Sequence, residues 1–425
     1  MRILVGLIEH MGDIIACEPV SRYLKAAHPA AHLTWAVSAA YRELADTNPY
    51  IDQTLVLECL TDWIKLTKHS SWDNIVDLHI NYRICQHCGI PLIKEKGNPF
   101  VNVYEWFDHG TLQEAFTLGA GLPALSAQPN LYLKPEHAKA VDALALPDNF
   151  CVVHHESNDR AKDWRREAWR KLSEWIRDDL ELQIVEVGAD KVCSPSPLAE
   201  GSISLVNRLP LLQTAEVIRR ARFFIGVDSG PAHLANALRV PGIVLLGRLG
   251  FFRQYMPFNG FFASRSPLVK MVRNPAGPAC TLSVDEVIEA VRYVAAASAT
   301  QRNATLPAAV RYVAAASASG HTATLPAAVR YVTTASATGH NAPLPVAIDT
   351  RKGAHAESHR RSARHPMRRT AGWFWPLAFS IRPGTAYNTR MWAVMGRTCS
   401  IISSQSARLK GGRLAPTSTR VVICR

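Results

Sequence analysis

The sequence predicts an α/β protein of two similar doubly wound halves, followed by a basic tail. Over residues 1–294, short apolar runs alternate with helical patterns, the order that gives parallel sheets covered on both faces. Two of the runs, at Ile3 and at Phe150, read as the first strands of separate halves. A third, ending at Val227, feeds a helix through Asp228-Ser229-Gly230. Such a turn aims backbone N–H groups and a helix-terminal partial charge at one point.

The elements follow in order. Residues 3–8 are almost unbroken Ile, Leu and Val, as expected of a strand buried on both faces. Pro19 opens a helix over 19–27, where a missing N–H costs nothing. Strands are expected at 33–37, 54–57 and 75–78. Residues 85–127 read as loops that shape a second ligand site. Leu146-Pro147-Asp148 marks a boundary between the halves, giving 1–146 and 147–297. In the second half, strands at 150–153, 182–187, 223–227 and 243–246 alternate with helices at 168–180, 212–221 and 285–294. Pro231 starts a further helix, with Leu234 and Leu238 as its apolar stripe.

Charge separates the tail, 298–425, from the body. From Ala295 onward there are 18 Lys and Arg against two acids, Asp349 and Glu357. The chain holds 48 Lys and Arg and 35 Asp and Glu in all, so the body is slightly acidic and the net +13 belongs to the tail. Ala-Val-Arg-Tyr-Val recurs at 290, 309 and 328. A 19-residue period suits no solenoid and reads as a duplicated end of the last body helix. Beyond Asp349 the Arg-, Ser- and Thr-rich composition is that of a disordered segment. No run of about 18 apolar residues predicts a membrane span. The opening residues read as a strand rather than a signal peptide. Nine scattered cysteines suit a reducing compartment better than a disulfide framework.

Several function classes are disfavoured. No Gly-x-Gly-x-x-Gly follows the first strand, no Gly-x-x-x-x-Gly-Lys-Ser/Thr occurs, and no Gly-x-Ser-x-Gly elbow is present. Cys85-Gln86-His87-Cys88, with His79 nearby, is half of a zinc pattern; no second Cys-x-x-Cys follows, so no metal is expected.

Three segments carry candidate chemistry. His10-Met11-Gly12-Asp13 lies past the first strand, where open α/β sheets bind ligands. Asp13 is there either as a general base or as the cap of a local turn. Lys162 follows the first strand of the second half, as a phosphate partner or as an ordinary solvated lysine. Asp228-Ser229-Gly230 with His233 is a phosphate-holding turn or a plain strand–helix junction capped by Ser229 or Asp228.

Taken together, these segments resemble glycosyltransferase family nine, the lipopolysaccharide heptosyltransferases. The resemblance runs from Met1-Arg2-Ile3-Leu4-Val5 through Met11-Gly12-Asp13-Ile14 and Pro19. It continues through Thr34-Trp35, Asn48-Pro49-Tyr50-Ile51-Asp52 and Lys162-Asp163-Trp164 to Gly226-Val227-Asp228-Ser229-Gly230-Pro231-Ala232-His233-Leu234-Ala235, then Val240-Pro241 and Leu245-Leu246-Gly247. It covers about residues 1–294.

The resemblance implies a GT-B fold, with two Rossmann-like domains facing across a cleft. The acceptor would lie on the N-terminal half and the nucleotide-sugar on the C-terminal half. Asp13 would be the general base on the acceptor hydroxyl, with His10 and Gly12 in the acceptor-side turn. Lys162 would neutralise the leaving diphosphate. Ser157 and Asn158 would occupy diphosphate-contacting positions, and Asp228, Ser229, Gly230 and His233 the donor-phosphate loop. Asp190 would hold the ribose and Leu209 would flank the base.

The implied reaction is inverting transfer, without metal or cofactor, of heptose from ADP-heptose to a lipopolysaccharide or other cell-surface saccharide acceptor. The implied setting is the bacterial cytoplasm, with peripheral contact at the inner face of the membrane suiting a lipid-linked acceptor. No nucleic acid is expected. Two departures stand out. His154-His155-Glu156 replaces a Pro-Gly-Ala-like turn, and Gly247-Arg248-Leu249-Gly250 replaces a Gly-Pro-Thr element. The alternatives are a same-fold transferase using another nucleotide-sugar for O-antigen, capsule or protein glycosylation, or a non-catalytic anion binder acting through the tail.

Overall fold

The computed structural model describes residues 1–69, 71–189, 197–250, 252, 254–305, 399–403 and 420–424. In the first half, β1 (Arg2–Gly6), α1 (Met11–Ala16), α2 (Pro19–Ala27), β2 (His32–Val37) and α3 (Arg42–Asp46) lead to β3 (Gln53–Val56), α4 (Leu60–His69) and β4 (Asn74–Asp77). The four strands form one parallel sheet in the order β3-β2-β1-β4, with Val5 opposite both Trp35 and Val76. Helices α5 (Leu112–Gly119) and α6 (Pro135–Asp142) complete this part. Thr111 and Glu114 form a reciprocal capping box at the start of α5.

The second half contains β5 (Phe150–His154), α7 (Arg166–Leu180), β6 (Gln183–Glu186), β7 (Ile203–Ser204), α8 (Leu211–Arg220), β8 (Phe224–Val227), α9 (Gly230–Ala237), β9 (Gly242–Gly247), β10 (Val269–Asn274) and α10 (Val284–Thr305). Its six strands are parallel, in the order β10-β9-β8-β5-β6-β7. Counted from the first strand of that half, this is the doubly wound order 3-2-1-4-5-6 read in reverse. The order reverses between β5 and β8, and in the first sheet between β1 and β4. Ligands of such sheets bind outside the carboxyl ends of the strands at that point.

The expected strands are present with ends moved by one or two residues. β1 stops at Gly6, although Leu7 and Ile8 stay fully buried. Two strands of the second half, β7 and β10, were not anticipated. β10 is an edge strand in which only Val269 and Val272 of Val-Lys-Met-Val-Arg-Asn are buried. α10 carries the first repeat copy, at 290, and runs to Thr305; the copies at 309 and 328 lie outside the described residues. Met1–Ala335 forms one unit and Ser336–Arg425 another. The second contains β11 (Cys399–Ser403) and β12 (Arg420–Cys424), paired antiparallel. These two were not anticipated either, since they fall in the tail expected to be disordered. The remaining stretch to which disorder is assigned lies outside the described residues.

Side chains of the connecting segment hold the two halves together. Gln128 Nε2 donates to Asn236 O (2.9 Å), Asn236 Nδ2 to Asn259 O (2.9 Å) and Asn259 Nδ2 to Ser126 Oγ (2.9 Å). Asn236 and Asn259 are buried, and this chain satisfies their amide N–H groups, while Asn259 Oδ1 has no partner among the described residues. Buried Glu18 gathers the Arg22 guanidinium (3.0 Å), the Tyr132 hydroxyl (2.8 Å) and the Asn130 N–H (2.9 Å).

Candidate active site

Each topological switch point supplies half of one polar cluster. Past β1 the chain turns through His10, which holds φ 66°, ψ 107° and so stores backbone strain. That turn presents Asp13 on the short helix α1. Past β4 the chain returns Arg83, whose Nη1 lies 3.4 Å from Asp13 Oδ2 and whose Nε lies 3.4 Å from Glu9 Oε2. Burial raises the Asp13 pKa above the usual carboxylate range; Arg83, His233 and Lys162 oppose that rise and Asp228 adds to it. Burial and Arg83 push His10 down to about 4, so its ring is neutral near pH 7.

The second half contributes Lys162 after β5 and Asp228 after β8. Lys162 Nζ lies 2.7 Å from Asp228 Oδ2, and the Tyr255 hydroxyl donates to that same oxygen. Lys162 also lies over the Tyr255 ring, 5.9 Å from its centroid. Burial pushes Asp228 up, but Lys162, His233 and Tyr255 outweigh it and hold the carboxyl below its ordinary value. Burial likewise opposes the charge on Lys162, yet Asp228 keeps its pKa raised. His233 Nε2 lies 3.8 Å from Asp228 Oδ1. Burial lowers its pKa, and its Nδ1 has no hydrogen-bond partner among the described residues.

Close packing of α1 on α9 brings the two half-sites together. A Cβ added at Gly12 would lie 2.7 Å from His233 Cδ2, and one at Gly230 would lie 1.8 Å from Met11 Cε. The buried His233 ring makes the first contact require glycine; at Gly230 the flexible end of Met11 would have to move. Ser229 and Gly230 open α9, whose first N–H groups have no partner within the helix. Beside them is a shallow, open depression lined by Ala161, Lys162, Asp228, Tyr255 and the 245–249 segment.

The structure thus gathers Asp13, Lys162, Asp228 and His233, with His10, Gly12, Ser229 and Gly230 beside them. Ser157 lies in the same loop as Lys162, its N–H on Asp163 Oδ1 (2.7 Å) and its hydroxyl on Asp159 O (2.7 Å). Asn158 is exposed in that loop. Leu209 packs at the margin of the main core. Asp190 lies outside the described residues. At the first departure, His154 is buried, with Nδ1 on Val187 O (2.8 Å), and burial lowers its pKa to about 4. It therefore offers no positive charge near pH 7. Arg83 and Tyr255 were missed from the sequence; each is a lone residue in a loop, identified only by its long-range partner.

Residues 109–250 match the family model for glycosyltransferase family 9 (heptosyltransferase). Lipopolysaccharide heptosyltransferase 1 of Salmonella typhimurium is 29% identical over 106 residues, 24% of this chain and 33% of that protein. Lipopolysaccharide heptosyltransferase 3 of Escherichia coli is 26% identical over 116 residues, 26% of this chain and 34% of that protein. These matches therefore span about a third of each curated relative. Among solved structures, the glycosyl transferase family 9 protein of Veillonella parvula superposes with a TM-score of 0.53 at 17% identity, over 69% of this chain and 97% of that one. The E. coli ADP-heptose lps heptosyltransferase II gives 0.52 at 17% identity, over 70% and 99%. The fold is that of these GT-B proteins. No helix among the described residues is long and apolar enough to cross a membrane.

Proposed function

From the family 9 match over residues 109–250 we propose that the chain is an inverting glycosyltransferase of that family, moving heptose from ADP-heptose to a lipid-linked saccharide. The observation that carries this reading is one cluster in which a half-buried carboxylate from the first sheet faces a lysine and a helix N-terminus from the second. Glycosyl transfer breaks the bond from the anomeric carbon to the diphosphate oxygen as the acceptor oxygen forms a new bond on the opposite face. Negative charge grows on the departing diphosphate, where Lys162 and the N–H groups of Ser229 and Gly230 stabilise it. Asp13 takes the proton of the attacking hydroxyl, and its raised pKa makes it a better base than an ordinary carboxylate. A single displacement gives inversion.

Asp228 acts in this scheme as a positioning residue. It accepts one N–H of the Lys162 ammonium and leaves two for the diphosphate. Tyr255 fixes the carboxylate from its other side. Neutral His233 fills the junction of the two halves beside Gly12. Ser157, Asn158, Asp190 and Leu209 are assigned to the rest of the donor. Arg248, lining the depression, stands where it can select the donor.

Calorimetric titration of the full chain with ADP, UDP and GDP tests the donor assignment. Selective ADP binding that weakens in Lys162→Ala is the expected result; selective binding of UDP or GDP makes the chain a transferase of another nucleotide-sugar. Asp13→Ala should abolish turnover of ADP-heptose while leaving ADP binding intact. Retained turnover removes Asp13 from the catalytic role.

A further inference from the structure

We propose that Cys59, Cys85 and Cys88 bind one Zn²⁺ through their thiolates, with Asp62 as fourth ligand, and that this ion anchors the loop carrying Arg83 beside Asp13. The three sulfur atoms all lie within 4.8 Å of one another, and Cys59 Sγ is 3.6 Å from Cys88 Sγ. Tetrahedral zinc with Zn–S near 2.3 Å places its sulfurs about 3.8 Å apart, whereas a disulfide needs about 2.05 Å. Asp62 Oδ2 lies 3.9 Å from Cys59 Sγ. The ligands come as two pairs of equal spacing, Cys59-x-x-Asp62 and Cys85-x-x-Cys88. A search for a second Cys-x-x-Cys overlooks the first pair because it ends in a carboxylate.

Backbone closes around the sulfurs. Cys59 immediately precedes α4, at the N-terminus of that ten-residue helix. The backbone N–H groups of His87 and Cys88, within its own turn, and of Thr61, from the start of α4, donate to Cys85 Sγ. The turn is closed by the Gly89 N–H on Cys85 O (2.9 Å) and by the φ of +69° at Gly89. Soft sulfur ligands select zinc over magnesium or calcium. Cys59 and Cys85 are buried, while Cys88 is exposed and gives the ion an entry path. His79 takes no part. Its Nδ1 lies 2.7 Å from Asp77 Oδ1, and its Nε2 accepts the Ile8 N–H (3.0 Å).

The site joins elements far apart in the first sheet. α4 is the crossover from β3 to β4, which lie at opposite edges. Cys85 sits two residues past Arg83, and the loop is paired to itself by Leu92 N on Arg83 O (2.7 Å) and Tyr82 N on Leu92 O (2.9 Å). An ion tying Cys85 and Cys88 to the start of α4 therefore fixes the base of the arm that reaches Asp13.

The test is metal analysis of the full chain, purified under reducing conditions without chelator, then incubated with Zn²⁺ and dialysed. About one equivalent of zinc is expected, with Co²⁺ substitution giving thiolate-to-cobalt charge transfer and the intense visible bands of a tetrahedral site. Cys88→Ser and Cys59→Ser should each lose the metal with the circular dichroism spectrum unchanged, and Cys280→Ser should retain it. Asp62→Asn should keep the charge-transfer band and weaken zinc retention. Substoichiometric zinc in the wild type, zinc retained in both cysteine variants, or a Cys59–Cys88 disulfide in a non-reducing peptide map would each overturn the proposal. If a cysteine variant fails to fold, protection of the wild-type thiols from alkylation by added Zn²⁺ decides instead; no protection overturns it.

Discussion

Replacing Lys162 by methionine tests whether the Lys162–Asp228 pair is a real element of the site. The ammonium lies 2.7 Å from a carboxylate that is 5% exposed, while its own side chain is 26% exposed. Removing one partner of a buried pair costs about 3–5 kcal/mol because the other charge is left without compensation. Lys162 is partly wet and Tyr255 still bonds Asp228, so the low end applies, about 3 kcal/mol. At about 2 °C per kcal/mol for a large domain, Tm falls by about 6 °C.

The loss depends on pH in a definite direction. In the wild type, the pKa of folded Asp228 is held below its ordinary value, so its contribution is present above the usual carboxylate range and is lost as pH falls through the folded value. Without Lys162, burial dominates and the pKa rises above ordinary. The variant then loses stability as pH climbs from the carboxylate range toward 7, so its deficit is largest near neutrality and shrinks on acidification. Adding Asp228→Asn removes the uncompensated charge and should restore most of the stability but none of the turnover. Thermal and urea unfolding followed by tryptophan fluorescence measure all three proteins. A single-variant deficit under about 1 kcal/mol at pH 7, or one that Asp228→Asn fails to recover, refutes the reasoning.

Three further outcomes follow from the same geometry. Arg83→Gln removes a charge that lowers the Asp13 pKa, so the acidic limb of the pH–rate profile should move to higher pH; a limb that stays in place separates Arg83 from the base. Gly12→Ala puts a Cβ 2.7 Å from His233 Cδ2, between the two halves, and should cost about 1–3 kcal/mol in urea unfolding with donor affinity falling in parallel. Tyr255→Phe takes a hydrogen bond from buried Asp228; about 1–2 kcal/mol of lost stability is expected, with no effect when Asp228 is already Asn.

What was legible in the sequence follows physical range. Continuous apolar runs such as residues 150–153 and 243–246 declare central parallel strands, because both faces of those strands are covered. Pro19 fixes the start of α2, and the face of Ala168, Trp169, Leu172 and Ile176 declares α7. β10 was missed because this edge strand buries only Val269 and Val272, one on each face, and mixes Lys and Arg among them. α4 was missed because only Leu60 and Trp63 of its ten residues are buried. Asp13, Lys162 and Asp228 could be singled out because each follows a readable strand at its carboxyl end. Arg83, Tyr255 and Cys59 could not, since each acquires meaning from a partner between 26 and 70 positions away.

That pattern bears on how the site is assembled. Neither sheet holds a complete constellation: the first provides Asp13 with Arg83, and the second provides Lys162 with Asp228 and the N-terminus of α9. What unites them is the absence of a side chain at Gly12, which lets α1 and α9 approach closely enough for His233 to reach both halves. A larger residue there would press base and phosphate site apart without touching a charged group. A polar chain through Ser126, Gln128, Asn236 and Asn259 then holds α9 one turn beyond His233. The spacing between Asp13 and Lys162, and with it the distance over which a sugar would be passed, is therefore set by the helix contact at Gly12 and an amide network rather than by the charged groups themselves.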